Sequence, residues 1–148
     1  MTYTEKDWDD EPTRPFDWLR TARVLVAEDD DALRAMIAGR LRADGCRVIE
    51  AANGDEALDR ITSVETSSLT PGIDLVVIDV RMPGLSGLEV VRLLRSWRWT
   101  TPVLFVTAYP DEQFLEQATA LDAQVLAKPF VLARLSQAAS ETLARSVA

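Results

Sequence analysis

Between Arg23 and Val147, short apolar runs alternate with segments of helical period, five of each, and that order leaves few folds open. Arg23–Ala27 predicts a strand. Asp31–Asp44 predicts a helix, with Leu33, Ile37 and Leu41 four apart on one face and Gly45 as its stop. Arg47–Glu50 reads as a second strand, and Gly54–Thr62 as a short helix after the Asn53-Gly54 turn. The run Leu75–Ile78 has no polar alternation, so Leu75–Asp79 reads as a strand buried on both faces. Gly87–Trp97 follows as a helix with Leu88, Val91 and Leu94 inward. Residues 101–107 predict strand four, a helix lies near Asp111–Leu121, and Gln124–Ala127 is strand five. Val131–Val147 closes as a helix with Leu132, Leu135, Ala139 and Leu143 inward. Strands and helices in strict alternation form βαβ units, hence a parallel sheet covered on both faces.

Two stretches fall outside that rhythm. Residues 1–22 are acidic, contain Pro12 and Pro15, and read as an N-terminal extension to a domain over 23–148. Its Trp8, Phe16 and Trp18 fit either a tail resting on the domain or a partner-docking segment. Ser63–Ile73, with Pro71-Gly72, is a polar connection longer than most.

Bulk properties exclude several classes. With 24 acids against 16 bases the net charge is -8, which argues against direct contact with nucleic acid. No apolar stretch approaches membrane-spanning length, and the acidic start does not resemble a signal peptide. The single cysteine, Cys46, rules out an internal disulfide and reads as a small buried side chain. Histidine is absent, which removes histidine-based triads and histidine zinc sites. A cytoplasmic protein is expected.

The polar residues at strand ends carry the chemistry. Open α/β sheets bind ligands outside the carboxyl ends of their strands. Strand one ends in Glu28, Asp29 and Asp30; strand three in Asp79; strand four in Thr107; strand five in Lys128. Two carboxylates about 4 Å apart repel by roughly 4 kcal/mol near a protein surface, so such a cluster requires a cation, a proton or a salt bridge. Oxygen-only ligands that leave room for water suit Mg²⁺. A carboxylate beside Mg²⁺, a lysine and a hydroxyl is equipped to form an acyl phosphate. Asp30 or Asp31 is the expected helix cap, leaving Glu28 and Asp29 for metal.

The segments ValLeuValAlaGluAspAsp (24–30), ValIleAspValArgMetProGlyLeuSerGly (77–87), PheValThrAla (105–108) and LysProPhe (128–130) resemble the receiver domain of two-component response regulators. AlaAlaAsnGlyAspGluAlaLeu (51–58) resembles the family's second strand-to-helix turn. The resemblance implies a flavodoxin-like (βα)5 doubly wound fold with a five-stranded parallel sheet in the order 2-1-3-4-5. It implies Asp79 as phosphoacceptor, with Glu28, Asp29, Asp79 and the backbone carbonyl of Arg81 holding Mg²⁺. Thr107 would be the switch hydroxyl and Lys128 the phosphate-contacting lysine, with a cis Lys128-Pro129 peptide. Partners would be a sensor histidine kinase or histidine phosphotransfer protein, meeting the first helix near Met36 and Arg40, and a downstream target protein.

Where that family usually carries Tyr or Phe, this chain has Val125, which cannot swing between buried and exposed positions as an aromatic does. Output is therefore expected through the loop after Thr107. Arg81 and Tyr109 are placed to cover a phosphoryl group and to influence its lifetime. Trp97 and Trp99 fit either packing under a loop or a contact with a partner or a second copy in a homodimer.

The leading expectation is a stand-alone, single-domain response regulator. It would not be an enzyme in its own right, but a phosphoacceptor that assists its own phosphorylation and dephosphorylation. The alternative is a pseudo-receiver, a docking or dimerisation module independent of phosphorylation. A phosphatase with an aspartate nucleophile would want an acid where Arg81 stands, and a dinucleotide oxidoreductase would want a GxGxxG after strand one.

Overall fold

The apolar run at the middle of the chain becomes the middle of a sheet. The computed structural model describes residues 19–65 and 72–146. The aromatic residues Trp8, Phe16 and Trp18, and most of the polar connection up to Pro71, lie outside the described residues. Five strands, β1 (Arg23–Ala27), β2 (Arg47–Ala51), β3 (Leu75–Asp79), β4 (Val103–Thr107) and β5 (Gln124–Ala127), form one sheet in the order β2-β1-β3-β4-β5. Every pairing is parallel. Five helices connect and flank them: α1 (Asp31–Ala43), α2 (Gly54–Glu65), α3 (Gly87–Ser96), α4 (Glu112–Ala120) and α5 (Leu132–Ser146). This is the flavodoxin-like doubly wound architecture expected from the sequence.

Alternation along each strand feeds two separate cores. Leu75 and Val77 of β3 pack with Val24, Val26, Leu104 and Val106 against Ile37 and Leu41 of α1 and Leu135, Ala139 and Leu143 of α5. Val76 and Ile78 point the other way, with Leu25 and Phe105, against Ala57 and Ile61 of α2, Val90, Val91 and Leu94 of α3, and Phe114 of α4. Phe105 and Phe114 meet edge to face at 5.3 Å between ring centres. Leu19, ahead of β1, is fully buried in the α1/α5 core.

Local chemistry sets the element ends. Asp30 caps α1, its side chain accepting from the Leu33 amide at 3.0 Å. Ser86 and Glu89 form a reciprocal capping box at the start of α3. Gly45 ends α1 with φ of 103°, a conformation glycine adopts without strain. Strand β4 begins at Val103 rather than at 101. Its ladder opens with the Pro102 carbonyl, which accepts from Val76, while the Thr101 carbonyl is taken at 2.8 Å by the Arg95 guanidinium. At the start of α3, a side chain on Gly87 would collide with the backbone carbonyl of Asp79. The helix thus sits directly on the end of β3.

Cys46 is buried as expected, its thiol donating to the Leu19 carbonyl at 3.2 Å. Burial, with the charge of Asp44 adding to it, pushes the thiol from an ordinary 9.0 up to about 12. The native protein is therefore expected to leave Cys46 unmodified by an aromatic disulfide reagent at about pH 8, since the thiolate is the reacting species. The same protein in concentrated guanidinium chloride should react stoichiometrically, and absorbance of the released thiolate checks both results.

Candidate functional site

Strands β1, β3, β4 and β5 end level with one another, because each is registered against its neighbour up to its last residues. The chain leaves β1 through Glu28, Asp29 and Asp30. With Asp30 committed to the cap of α1, Glu28 and Asp29 are left to the site. Glu28 is 1% exposed and its amide donates to the Ala51 carbonyl at 3.0 Å, which turns its side chain inward across the sheet's end. Asp29 is exposed. Carboxylate oxygens of Glu28, Asp29 and Asp79 all lie within 4.8 Å of one another.

Lys128 answers that charge. Its Nζ donates to Glu28 Oε1 at 2.8 Å and to Asp79 Oδ2 at 3.1 Å, bringing together residues 100 and 49 positions away. Its own amide donates to the Thr107 carbonyl at 2.8 Å, and the Lys128-Pro129 peptide is cis, as expected. The sequence placed Lys128 among these acids without deciding which partner it bonds. The bond to Glu28 is the shorter of the two.

Electrostatics follow from burial. Loss of water pushes the Glu28 carboxyl up to about 8; its hydrogen bond with Asp79 adds to that, and Lys128 opposes it. For Lys128, burial favours the neutral amine, but hydrogen bonds to Glu28 and Asp79 outweigh it and hold the ammonium above its ordinary value. Near neutral pH Glu28 therefore keeps its proton, and the three acids are answered by that proton and the Lys128 ammonium. The donor set fits a small hard cation: octahedral Mg²⁺ at about 2.1 Å places neighbouring ligand oxygens about 3 Å apart and opposed ones about 4 Å apart. The three carboxylates lie within 4.8 Å of one another, close enough to reach one ion together.

Thr107 is 3% exposed, and its hydroxyl oxygen accepts from the Tyr109 amide at 3.1 Å, leaving its proton to donate. Arg81 donates from its amide to Asp79 Oδ1 at 3.4 Å. Its guanidinium lies over the Tyr109 ring, 4.3 Å from the centre. The two residues expected to cover the acceptor therefore also touch each other, bridging the loops after β3 and β4.

Outside this cluster the expectations fared unevenly. Met36 is exposed on α1. Arg40, partly exposed beside it, donates at 2.8 Å to Ser136 on α5, which in turn bonds Asp44. Trp97 is exposed, whereas Trp99 packs against the α2–α4 core. Val125 is half-buried against the same core, in register with Phe105. The sequence reading passed over Arg34, whose Nη1 donates to the Glu28 carbonyl at 2.8 Å. The available signal was a basic residue one turn beyond Asp31, on the same helix face.

Comparison with known proteins agrees with this arrangement. Residues 24–140 match the response regulator receiver domain. Response regulator MprA of Mycolicibacterium vanbaalenii is 41% identical over 116 residues, covering 76% of this chain and 46% of that protein. The chain spans less than half the length of the curated relatives it matches. The receiver domain of the Francisella response regulator 1452 superposes with a TM-score of 0.75 at 28% identity, covering 85% of this chain and 99% of that one. Response regulator TrrA of Thermotoga maritima, solved in complex with Mg(2+)-BeF, superposes with a TM-score of 0.66 at 29% identity, covering 79% of this chain and 95% of that one. Among the described residues, no helix is long and apolar enough to cross a membrane. The chain belongs to the response regulator receiver family of two-component systems.

Proposed function

We propose that Asp79 accepts a phosphoryl group from a phosphohistidine, in a reaction that requires Mg²⁺, and that the chain signals through the resulting change at its strand ends. The observation that carries this reading is the shared ammonium: Lys128 holds Glu28 and Asp79 together beside Asp29. Without a cation, the cluster is answered by one ammonium and by a proton retained on Glu28, and a divalent cation would take the place of that proton. The likeness to TrrA, solved with Mg(2+)-BeF, supports the same chemistry.

Each residue has a part. Glu28, Asp29 and Asp79, with the Arg81 carbonyl, would hold Mg²⁺. When bound, the ion neutralises negative charge on the phosphoryl oxygens. An Asp79 oxygen bonds to phosphorus as the P–N bond to the donor imidazole breaks; the nitrogen keeps the electron pair and takes a proton. Lys128 supplies a fixed positive charge next to the acceptor. Thr107 offers its proton to the phosphoryl group, which draws on the loop through Tyr109. No histidine occurs among these 148 residues, so the donor lies elsewhere, on a sensor histidine kinase or a phosphotransfer protein. A downstream target protein receives the signal or the phosphoryl group. The chain is a phosphoacceptor that promotes its own modification and its loss rather than a turnover enzyme.

Incubation with Mg²⁺ and acetyl phosphate is expected to add one phosphoryl group, read by intact mass, and Asp79→Asn should abolish it. Mg²⁺ binding without any adduct would favour a phosphorylation-independent docking module. Replacing Tyr109 with Ala removes the ring that Arg81 covers, beside the acceptor's loop, and should change the adduct's lifetime several-fold in a decay assay. Lys128→Met leaves Glu28 and Asp79 without their counter-charge and is expected to cost about 3 kcal/mol in urea unfolding without metal. Millimolar Mg²⁺ should recover part of that loss, because the ion binds the folded form only.

A further inference from the structure

The peptide group between Glu28 and Asp29 determines how both carboxylates leave the backbone, and both ends of that group are held. Its N–H donates to Glu28 Oε2 at 3.1 Å, and its carbonyl accepts from Arg34 Nη1 at 2.8 Å. Arg34 uses its other two nitrogens on different elements. Nη2 pairs with Asp31 Oδ1 in the first turn of α1 at 2.7 Å, and Nε lies 3.4 Å from Glu50 Oε1 on β2. Glu50 is held in turn by Arg42 at 3.2 Å. The Arg34 side chain is only 17% exposed, so the fork is fixed by packing as well as by charge.

We propose that Arg34 is a positioning residue for the divalent cation: it locks the Glu28-Asp29 peptide so that the two side chains meet Asp79. This rests on the reading of Glu28, Asp29 and Asp79 as a cation site. Two effects of Arg34 on that site have opposite signs. Its positive charge, close to the acidic loop, repels a cation, so removing the charge alone should tighten binding. Its hydrogen bond to the carbonyl orders the loop in advance, so removing the fork should weaken binding. Partners that orient metal ligands from behind typically account for 10–100-fold in affinity, more than a screened charge at the protein edge. Lysine cannot substitute, because one ammonium does not reproduce a planar fork with three fixed partners.

The test is calorimetric titration of the full chain with MgCl₂, no phosphodonor being present, for the wild type, Arg34→Met and Arg34→Lys. Metal-free thermal unfolding of each variant checks folding. About tenfold weaker binding in Arg34→Met, with Arg34→Lys also several-fold weaker, is the expected result. Unchanged or tighter binding in Arg34→Met overturns the positioning role, and so does wild-type affinity in Arg34→Lys. If Arg34→Met does not fold, the Arg34→Lys titration decides by the same criterion. A wild-type chain that binds no Mg²⁺ overturns the cation reading itself, and the positioning role with it, which separates the two failures.

Discussion

One ammonium between two buried carboxylates organises this molecule. Lys128 reaches Glu28 and Asp79 at 2.8 and 3.1 Å, and the third acid, Asp29, stands beside them. Buried charges of like sign do not stay together unless something answers them, and breaking such a pair from one side usually costs several kcal/mol. Everything needed to bring these side chains together is a requirement on the sheet. β1 and β3 must be neighbours, β5 must lie two strands from β3, and all must run the same way so that their carboxyl ends align. A parallel sheet with helices on both faces meets these conditions.

The two cores make that edge stiff. Residues of β3 alternate between the α1/α5 layer and the α2–α4 layer, so the strand carrying Asp79 is clamped from both sides. Polar groups mounted on such strands hold their geometry better than groups on loops. The loops above add the adjustable parts: the Arg81–Tyr109 contact, and the Thr107 hydroxyl tied to the Tyr109 amide. The sheet edge that carries Asp79 is thus held by two cores, while the loops above it are joined through the Arg81–Tyr109 and Thr107–Tyr109 contacts.

The fold was legible in the sequence because its signals are local. Each strand is a short apolar run, each helix an apolar stripe, and Asp30 and Gly45 mark the ends of α1 in the chain itself. The polar residues closing β1, β3, β4 and β5 were legible too, since their positions along the chain already place them at one edge. Partner choice was not. That Lys128 bonds Glu28 more closely than Asp79 depends on side-chain directions set by residues 100 positions apart. Arg40, expected at the edge of α1 where a partner would meet it, also bonds Ser136, 96 positions away on α5, a contact its place in the chain did not give. Strand β4 starts at Val103, two residues later than expected, and the Thr101 carbonyl before it is taken by Arg95, a partner that sequence pattern does not reveal.

Gly87 shows how far the demands of the site extend. It bears no charge, yet a methyl group at its Cα would run into the backbone carbonyl of Asp79, so there is no room for one. Strand end and helix start behave there as one mechanical part, like a shaft seated in its bearing. Any side chain at position 87 would push the end of β3 and the start of α3 apart, and the Gly87 amide already ties the two together through the Val80 carbonyl at 2.9 Å.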